Sequence, residues 1–104
     1  MEKYILVEYE EDFGRSGMLS GLFITTKDKL ELIKGREIYF GEVLGKHSEV
    51  FSDECYENCK VTKLEHKDVK FFEKFFGEIE EHGLFISGIN PVDCYMEQEE
   101  DFNG

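Results

Sequence analysis

Two apolar runs near the start of the chain predict a pair of β-strands. Residues 4–9, YILVEY, are rich in β-branched and aromatic side chains, and residues 19–25, LSGLFIT, repeat this character. Residues 14–21, which lead from the first run into the second, contain three glycines within eight positions. Such a glycine content is typical of a connection. The two strands are therefore expected to pair antiparallel.

Helical spacing of apolar residues predicts two helices. The first covers residues 25–35, where Thr26 is placed to cap it and Gly35 to end it. The second covers residues 67–83, with Asp68 as the candidate cap, and it has the strongest pattern in the chain. Its wide apolar face consists of Phe71, Phe72, Phe75, Phe76 and Ile79.

Shorter strand patterns fill most of the remaining chain. Strands are predicted over residues 36–45, 49–51, 59–65 and 84–91, with Gly41 as a candidate bulge in the first of them. This order of elements favours an α+β fold, a compact single domain with a mostly antiparallel sheet packed by two helices.

The length of 104 residues fits one domain with a modest core. The domain is predicted to cover residues 1–96, and residues 97–104, EQEEDFNG, to form a frayed acidic tail. Because so short a chain has little surface with which to enclose a ligand, we expect a homo-oligomer with sites near or between subunits.

The charge of the chain narrows the classes of partner. Acidic residues outnumber basic ones by 24 to 12, which gives a formal net charge of −12. Nucleic acids and anionic membranes bind cationic surfaces, so neither is an expected partner. The charge leaves open a contact with a basic protein, for instance as a nucleic-acid mimic, and it also fits an ordinary solvated surface.

Compartment signals favour the cytoplasm. The first twelve residues, MEKYILVEYEED, lack the basic and long apolar regions of a signal peptide, and no apolar run reaches the length of a membrane span. The three cysteines are an odd number, which argues against a disulfide framework and fits a reducing compartment.

The segment GEVLGKHS, residues 41–48, resembles a phosphate-binding loop but fails its spacing. Only three residues separate Gly41 from Gly45, and His47 stands where the motif needs a serine or threonine. A glycine-permitted turn can still expose backbone N–H groups to an anion. The candidate ligand-binding residues here are Gly45, Lys46, His47 and Ser48, and the alternative is an exposed polar turn.

A second glycine-rich turn, GRSG, offers a similar set of groups. Its candidates are Gly14, Arg15, Ser16 and Gly17, and arginine binds phosphate through a planar fork of donors. The alternative is a hairpin loop in which Arg15 pairs with Glu11 or Asp12. If the fold brings the two turns together, they form a joint anion site.

A third segment and several aromatic residues could contact the parts of a ligand other than its phosphate. The amide of Asn90, in SGINPVD, is a candidate for contacting a base or ribose, although an ordinary turn explains it equally well. Three aromatic residues flank the candidate segments and could stack on a planar ring, and most aromatics in a small domain belong to the core. These residues are Phe13, Tyr39 and Tyr95.

Catalytic and metal-binding patterns are weak. His47 as a base with Glu42 or Glu49, and Cys55 or Cys94 as a nucleophile, are constellations that no spacing identifies. Cys55 and Cys59 with single flanking histidines match no recognised zinc spacing. No catalytic residue, metal ligand or cofactor is therefore assigned.

The stretches FGEVLGKHSEV, GRSGMLSGLF and SGINPVD resemble a family of small uncharacterised proteins of phages and bacteria. The resemblance covers most of the chain. It implies a viral protein in the host cytoplasm that inhibits anti-phage defence, either by sequestering a signalling nucleotide or by blocking a nucleic-acid site.

The combined expectation is a non-enzymatic protein that sequesters a phosphorylated small molecule, a nucleotide or a cyclic oligonucleotide signal. Two alternatives stay open. One is an acidic inhibitor of a host protein, and the other is a small enzyme that processes nucleotides or phosphoesters.

Overall fold

The computed structural model describes residues 4–41, 49–79 and 83–103. These residues form six strands, three α-helices and one turn of 3₁₀ helix. In chain order they are β1 (Tyr4–Asp12), the 3₁₀ turn (Gly14–Ser16), β2 (Met18–Thr26), α1 (Lys27–Glu31), β3 (Ile38–Gly41), β4 (Val50–Ser52), β5 (Cys59–Lys63), α2 (His66–Phe76), β6 (Leu84–Gly88) and α3 (Pro91–Asn103).

All described strand pairs are antiparallel, which confirms the predicted α+β class. Four strands form a sheet in the order β5–β1–β2–β6, and β3 pairs with β4 in a separate hairpin. Strands β1 and β2 pair along their whole length, from Tyr4 opposite Thr26 to Asp12 opposite Met18. The β3–β4 pairing shifts register between Tyr39 and Gly41, as expected for the predicted bulge.

The core lies between one face of the four-stranded sheet and a layer built from the hairpin, α1 with its following turn, and α3. Alternate residues of β1 point into it, because successive strand side chains point to opposite faces. The buried apolar residues of this cluster are Ile5, Val7, Tyr9, Leu19, Phe23, Leu30, Ile33, Ile38, Phe40, Val50, Cys55 and Val92.

Helix α1 begins as the sequence predicts and ends early. The hydroxyl of Thr26 accepts a hydrogen bond from the Lys29 N–H at 3.4 Å, which caps the helix. The helix has only five residues and passes into a turn that reaches Gly35, where φ is +71°. A single turn suffices because Leu30 and Ile33 are both buried in the core.

Helix α2 differs from the prediction at both ends and in its packing. It ends at Phe76, with Gly77 as its C-cap at a φ of +101°, so Ile79 of the predicted apolar face lies outside the helix. Glu65 is the N-cap, and Asp68 is the reciprocal partner of a capping box rather than the cap itself.

No residue of α2 is buried, and Phe71, Phe75 and Phe76 are 55%, 61% and 49% exposed. Helical spacing identifies an apolar face, and it does not determine how much of that face meets the core.

Helix α3 corrects the expected number of helices from two to three. Pro91 was expected to fix a turn, and it is instead the first residue of this helix, a position where its missing N–H costs nothing. Residues 97–103 of the predicted tail belong to the same helix. No helix in the described ranges is both long and apolar enough to cross a bilayer.

Candidate functional site

The β1–β2 turn holds the first group of predicted ligand-binding residues. Gly14 and Gly17 both have positive φ, +68° and +122°, which only glycine adopts without strain. The Gly14 N–H donates to the Asp12 carboxylate at 2.8 Å, and the Gly17 N–H donates to the Gly14 carbonyl at 3.1 Å. Both amides are therefore engaged within the turn, which Ser16 completes as the last residue of the 3₁₀ helix.

Arg15 is the group in this turn that faces solvent. Its side chain is exposed, and no carboxylate among the described residues lies within 4.0 Å of its guanidinium. The two acids proposed as its alternative partners make other contacts. Glu11 accepts from Tyr9 and Ser52, and Asp12 accepts from Gly14. The guanidinium thus has no competing ion pair in the described part of the chain.

The β3–β4 hairpin carries an exposed aromatic pair. The rings of Tyr39 and Phe51 lie 4.9 Å apart, and the two side chains are 42% and 47% exposed. The Tyr39 hydroxyl donates to the Glu49 carboxylate at 3.2 Å, which holds the ring at the outer face of the hairpin. These residues flank residues 42–48, which connect the two strands.

The second group of predicted ligand-binding residues lies in that connection, outside the residues that the structure describes. They are Gly45, Lys46, His47 and Ser48. Their roles stay predictions, as does the meeting of the two glycine-rich turns.

Asn90 is buried and works as a helix cap. Its Oδ1 accepts hydrogen bonds from the N–H groups of Val92 at 3.0 Å and Asp93 at 3.3 Å, which caps the N-terminus of α3. The adjacent Ile89 N–H donates to the Ser20 carbonyl at 2.9 Å, three residues beyond the GRSG turn. The fold therefore brings Asn90 and the turn to the same end of the sheet, with the amide oxygen already engaged.

Of the remaining aromatic candidates, Phe13 and Tyr95 are half-buried and pack against the core. Their ring faces contribute to the fold. Among the three candidates for stacking, Tyr39 is the one that presents its ring to solvent.

A polar network that sequence reasoning missed joins β1 to β4. The Ser52 hydroxyl donates to both carboxylate oxygens of Glu11, at 2.7 and 2.8 Å, and the Tyr9 hydroxyl donates to Glu11 at 2.8 Å. The Cys55 thiol donates to the Tyr9 oxygen at 3.7 Å. Tyr9 and Glu11 stand at alternate strand positions, but nothing local in the sequence indicates that Ser52, 41 residues away, is their partner.

The three cysteines are free thiols with little nucleophilic character. Burial raises the pKa of Cys59 to about 12 and that of Cys94 to about 11, and nearby carboxylates act in the same direction. Burial also raises the pKa of Cys55, against the opposing effect of its hydrogen bonds to Ser52 and Tyr9. Because the thiolate is the nucleophile, these environments disfavour the cysteine-based enzyme alternative.

One groove on the described residues is small and partly lined by carboxylates. An open groove of about 220 Å³ runs over β1 and β2, lined in part by Glu8, Glu10, Ser20 and Ser87. Carboxylates repel a phosphate, so this groove does not suit the expected ligand. Within the described ranges no three histidine, cysteine or acidic side chains are grouped to hold a metal ion.

Comparison of the chain with protein-family models, with curated proteins and with solved structures gave no match. The functional conclusion therefore rests on the chemistry of the described residues and of the amino-acid sequence.

Proposed function

We propose that the protein is a non-enzymatic binding protein that sequesters a phosphorylated small molecule with a planar ring, a nucleotide or cyclic oligonucleotide. The ligand lies on the outer face of the β3–β4 hairpin. The observation that supports this proposal best is the exposed Tyr39–Phe51 pair beside the donor-rich connection of residues 42–48.

The aromatic pair supplies the surface for the ring of the ligand. Stacking of a base on an aromatic side chain contributes about 1–3 kcal/mol and tolerates different bases. The hydrogen bond from the Tyr39 hydroxyl to Glu49, at 3.2 Å, orients the ring before the ligand arrives, which reduces the conformational freedom lost on binding.

The cationic groups supply the contacts to phosphate. Lys46, His47 and Ser48 bring charge and donors from the connection, next to a backbone that Gly45 leaves free to turn. Arg15 adds a bidentate fork from the β1–β2 turn, and it makes this contact through its side chain because Gly14 and Gly17 donate within the turn.

The surrounding acidic surface gives selectivity. A net charge of −12 repels a polymeric nucleic acid with many phosphates, whereas a small anion meets only the local cationic groups. The three free thiols fit a reducing cytoplasm, where a phage-encoded inhibitor of host defence would encounter such a signal.

Calorimetric titration of the wild-type protein tests the ligand class. We expect heat from mono- or cyclic nucleotides at roughly 100 μM, and much weaker binding of the matching nucleosides, which lack phosphate. Equal binding of nucleoside and nucleotide, or no heat with any nucleotide, would contradict the proposal. Recovery of the ligand intact after denaturation of the complex excludes turnover.

A second function, an acidic inhibitor that docks on a basic protein, is favoured by one feature of β1. Glu8, Glu10 and Asp12 alternate along the strand, so their exposed carboxylates form a row on one face. Such docking predicts that Glu10→Gln with Asp12→Asn weakens binding to a basic probe protein, and that salt does the same. Arg15→Ala leaves this binding unchanged.

A further inference from the structure

Helix α2 presents phenylalanines that the described part of the chain does not cover. Phe71 and Phe75 lie one turn apart with ring centroids 4.8 Å from each other, and Phe76, which is 49% exposed, stacks on Phe72, the ring that contacts Phe71 edge-on. Since a phenylalanine side chain presents roughly 200 Å² of surface, Phe71, Phe75 and Phe76 together expose on the order of 300 Å². This size is that of the largest exposed apolar patch on a typical monomer, and such patches are often functional.

Helix α2 also buries less apolar surface than a helix of its length ordinarily needs for stability. An isolated helix of eleven residues is marginal in water, and helices in proteins obtain most of their stability from burying an apolar face. The capping box of Glu65 and Asp68 stabilises its first turn, yet no residue of α2 is buried. Covering the phenylalanines would supply the missing stabilisation.

The charges of α2 indicate what covers it. From Glu65 to Phe76 the helix and its cap carry three lysines and three carboxylates, so this segment is neutral in a chain of net charge −12. The signs alternate along the segment, and Lys74 Nζ lies 5.4 Å from the Phe75 ring centre. A strongly basic or acidic partner would gain little from a neutral face, whereas a face of mixed signs is complementary to a copy of itself.

Outside α2, electrostatic repulsion between two acidic copies of the protein opposes their association. With α2 neutral, the rest of the chain carries the whole charge of −12, and two such surfaces repel each other at close range. Two copies of the aromatic patch supply about half of the roughly 1,200 Å² that a small specific interface buries. The aliphatic stems of Lys67 and Lys74, one turn from Phe71, extend the patch.

We propose that the protein forms a two-fold symmetric dimer through α2, in which Phe71 of one copy packs on Phe75 of the other and the reverse. In a two-fold interface the same patch serves both copies, so each contact occurs twice. This inference is independent of the proposed ligand, because it uses no residue of the hairpin or of the β1–β2 turn.

Sedimentation velocity over a range of protein concentrations tests the dimer. We expect a concentration-dependent dimer, weakened at least about 30-fold by Phe75→Glu, since a central aromatic of an interface is replaced by a charge. Raising the salt concentration should strengthen the dimer, because salt screens the repulsion between two chains of charge −12.

The matched control is Phe85→Glu, at a phenylalanine of β6 that is 52% exposed. This variant should dimerise like the wild type. A monomer at all concentrations overturns the proposal, and so does a dimer that Phe85→Glu weakens and Phe75→Glu does not. If Phe75→Glu lowers the folded fraction by circular dichroism, isotope-filtered NOEs between labelled and unlabelled wild-type copies decide: contacts between Phe71 and Phe75 rings support the dimer, and their absence overturns it.

Discussion

Glu11 is half-buried and accepts hydrogen bonds from the hydroxyls of Tyr9 and Ser52, at 2.7 to 2.8 Å. A carboxylate in such a position is tolerated because each oxygen is satisfied by a donor. The network ties the hairpin layer to the sheet, since Glu11 belongs to β1 and Ser52 to β4. The network therefore holds the hairpin that carries the Tyr39–Phe51 pair in a fixed position on the sheet.

Removing the Ser52 hydroxyl tests this role. Ser52→Ala leaves Glu11 short of a donor, and it also removes the acceptor of the Glu54 N–H, so we expect a loss of about 2 kcal/mol in the free energy of unfolding. Urea denaturation monitored by circular dichroism measures it. The control is Ser87→Ala, at an exposed serine, which should change stability by less than about 0.5 kcal/mol. Similar losses in both variants would contradict the account.

The thiols give the protein an alkaline limit of stability. The pKa of Cys94 in the folded chain is about 11, raised from its ordinary 9.0, so the folded state holds this proton where the unfolded state has lost it. The contribution of the protonated Cys94 thiol to the free energy of unfolding is complete below about pH 9 and is lost as the pH rises through 11. Cys59 behaves in the same way up to about pH 12.

We therefore expect the urea midpoint of unfolding to fall between pH 9 and pH 11. Cys94→Ala should show a shallower fall than the wild type, because one of the shifted groups is gone. An unchanged midpoint, or an identical slope in the variant, would show that these thiols titrate normally.

At the level of elements, local signals predicted most of the architecture. Their β-branched and aromatic content identified β1 and β2, glycine placed the turn between them, and Thr26 caps α1 as expected. Helix α3 was missed although its start was visible, because Asn90 followed by Pro91 is an N-cap and first-turn pair as well as a turn signal. The acidic residues that follow resembled a solvated tail.

What could not be predicted from the sequence depends on distant contacts. The Glu11–Ser52 network and the hydrogen bond from the Tyr39 N–H to Gln98, 59 residues away, join segments that no local pattern connects. The exposure of the α2 phenylalanines is of the same kind, since periodicity shows which residues share a face and not what covers it. The candidate ligand groups followed from residue type alone.

Strand β6 docks on β2 through glycine. Gly21 lies opposite Gly88, and a Cβ at Gly21 would collide with the backbone carbonyl of Ile89. Gly21→Ala should therefore displace β6 and lower the free energy of unfolding by at least about 2 kcal/mol, measured by urea denaturation. Ser20→Ala, at the exposed neighbouring position, is the control and should have little effect. Equal stability of the two variants would refute this packing.

The whole molecule is acidic, and its size is close to that of a compact domain. The described chain has a radius of gyration of 14.1 Å, slightly above the roughly 13 Å expected for a compact domain of this length. In the acidic sequence, the neutral α2 segment and the proposed ligand cations Arg15 and Lys46 are exceptions. We propose that the α2 segment contacts a second copy and that the two cations contact a small phosphorylated ligand.

The central claim is tested most directly by calorimetric titration of matched arginine variants with a nucleotide that the wild-type protein binds. The chain contains two arginines, Arg15 in the β1–β2 turn and the exposed Arg36 after α1. If both glycine-rich turns hold one phosphorylated ligand, Arg15→Ala should weaken binding about 10- to 100-fold and Arg36→Ala should leave it unchanged. Equal affinities of the wild type and Arg15→Ala, or equal losses in the two variants, would contradict the account.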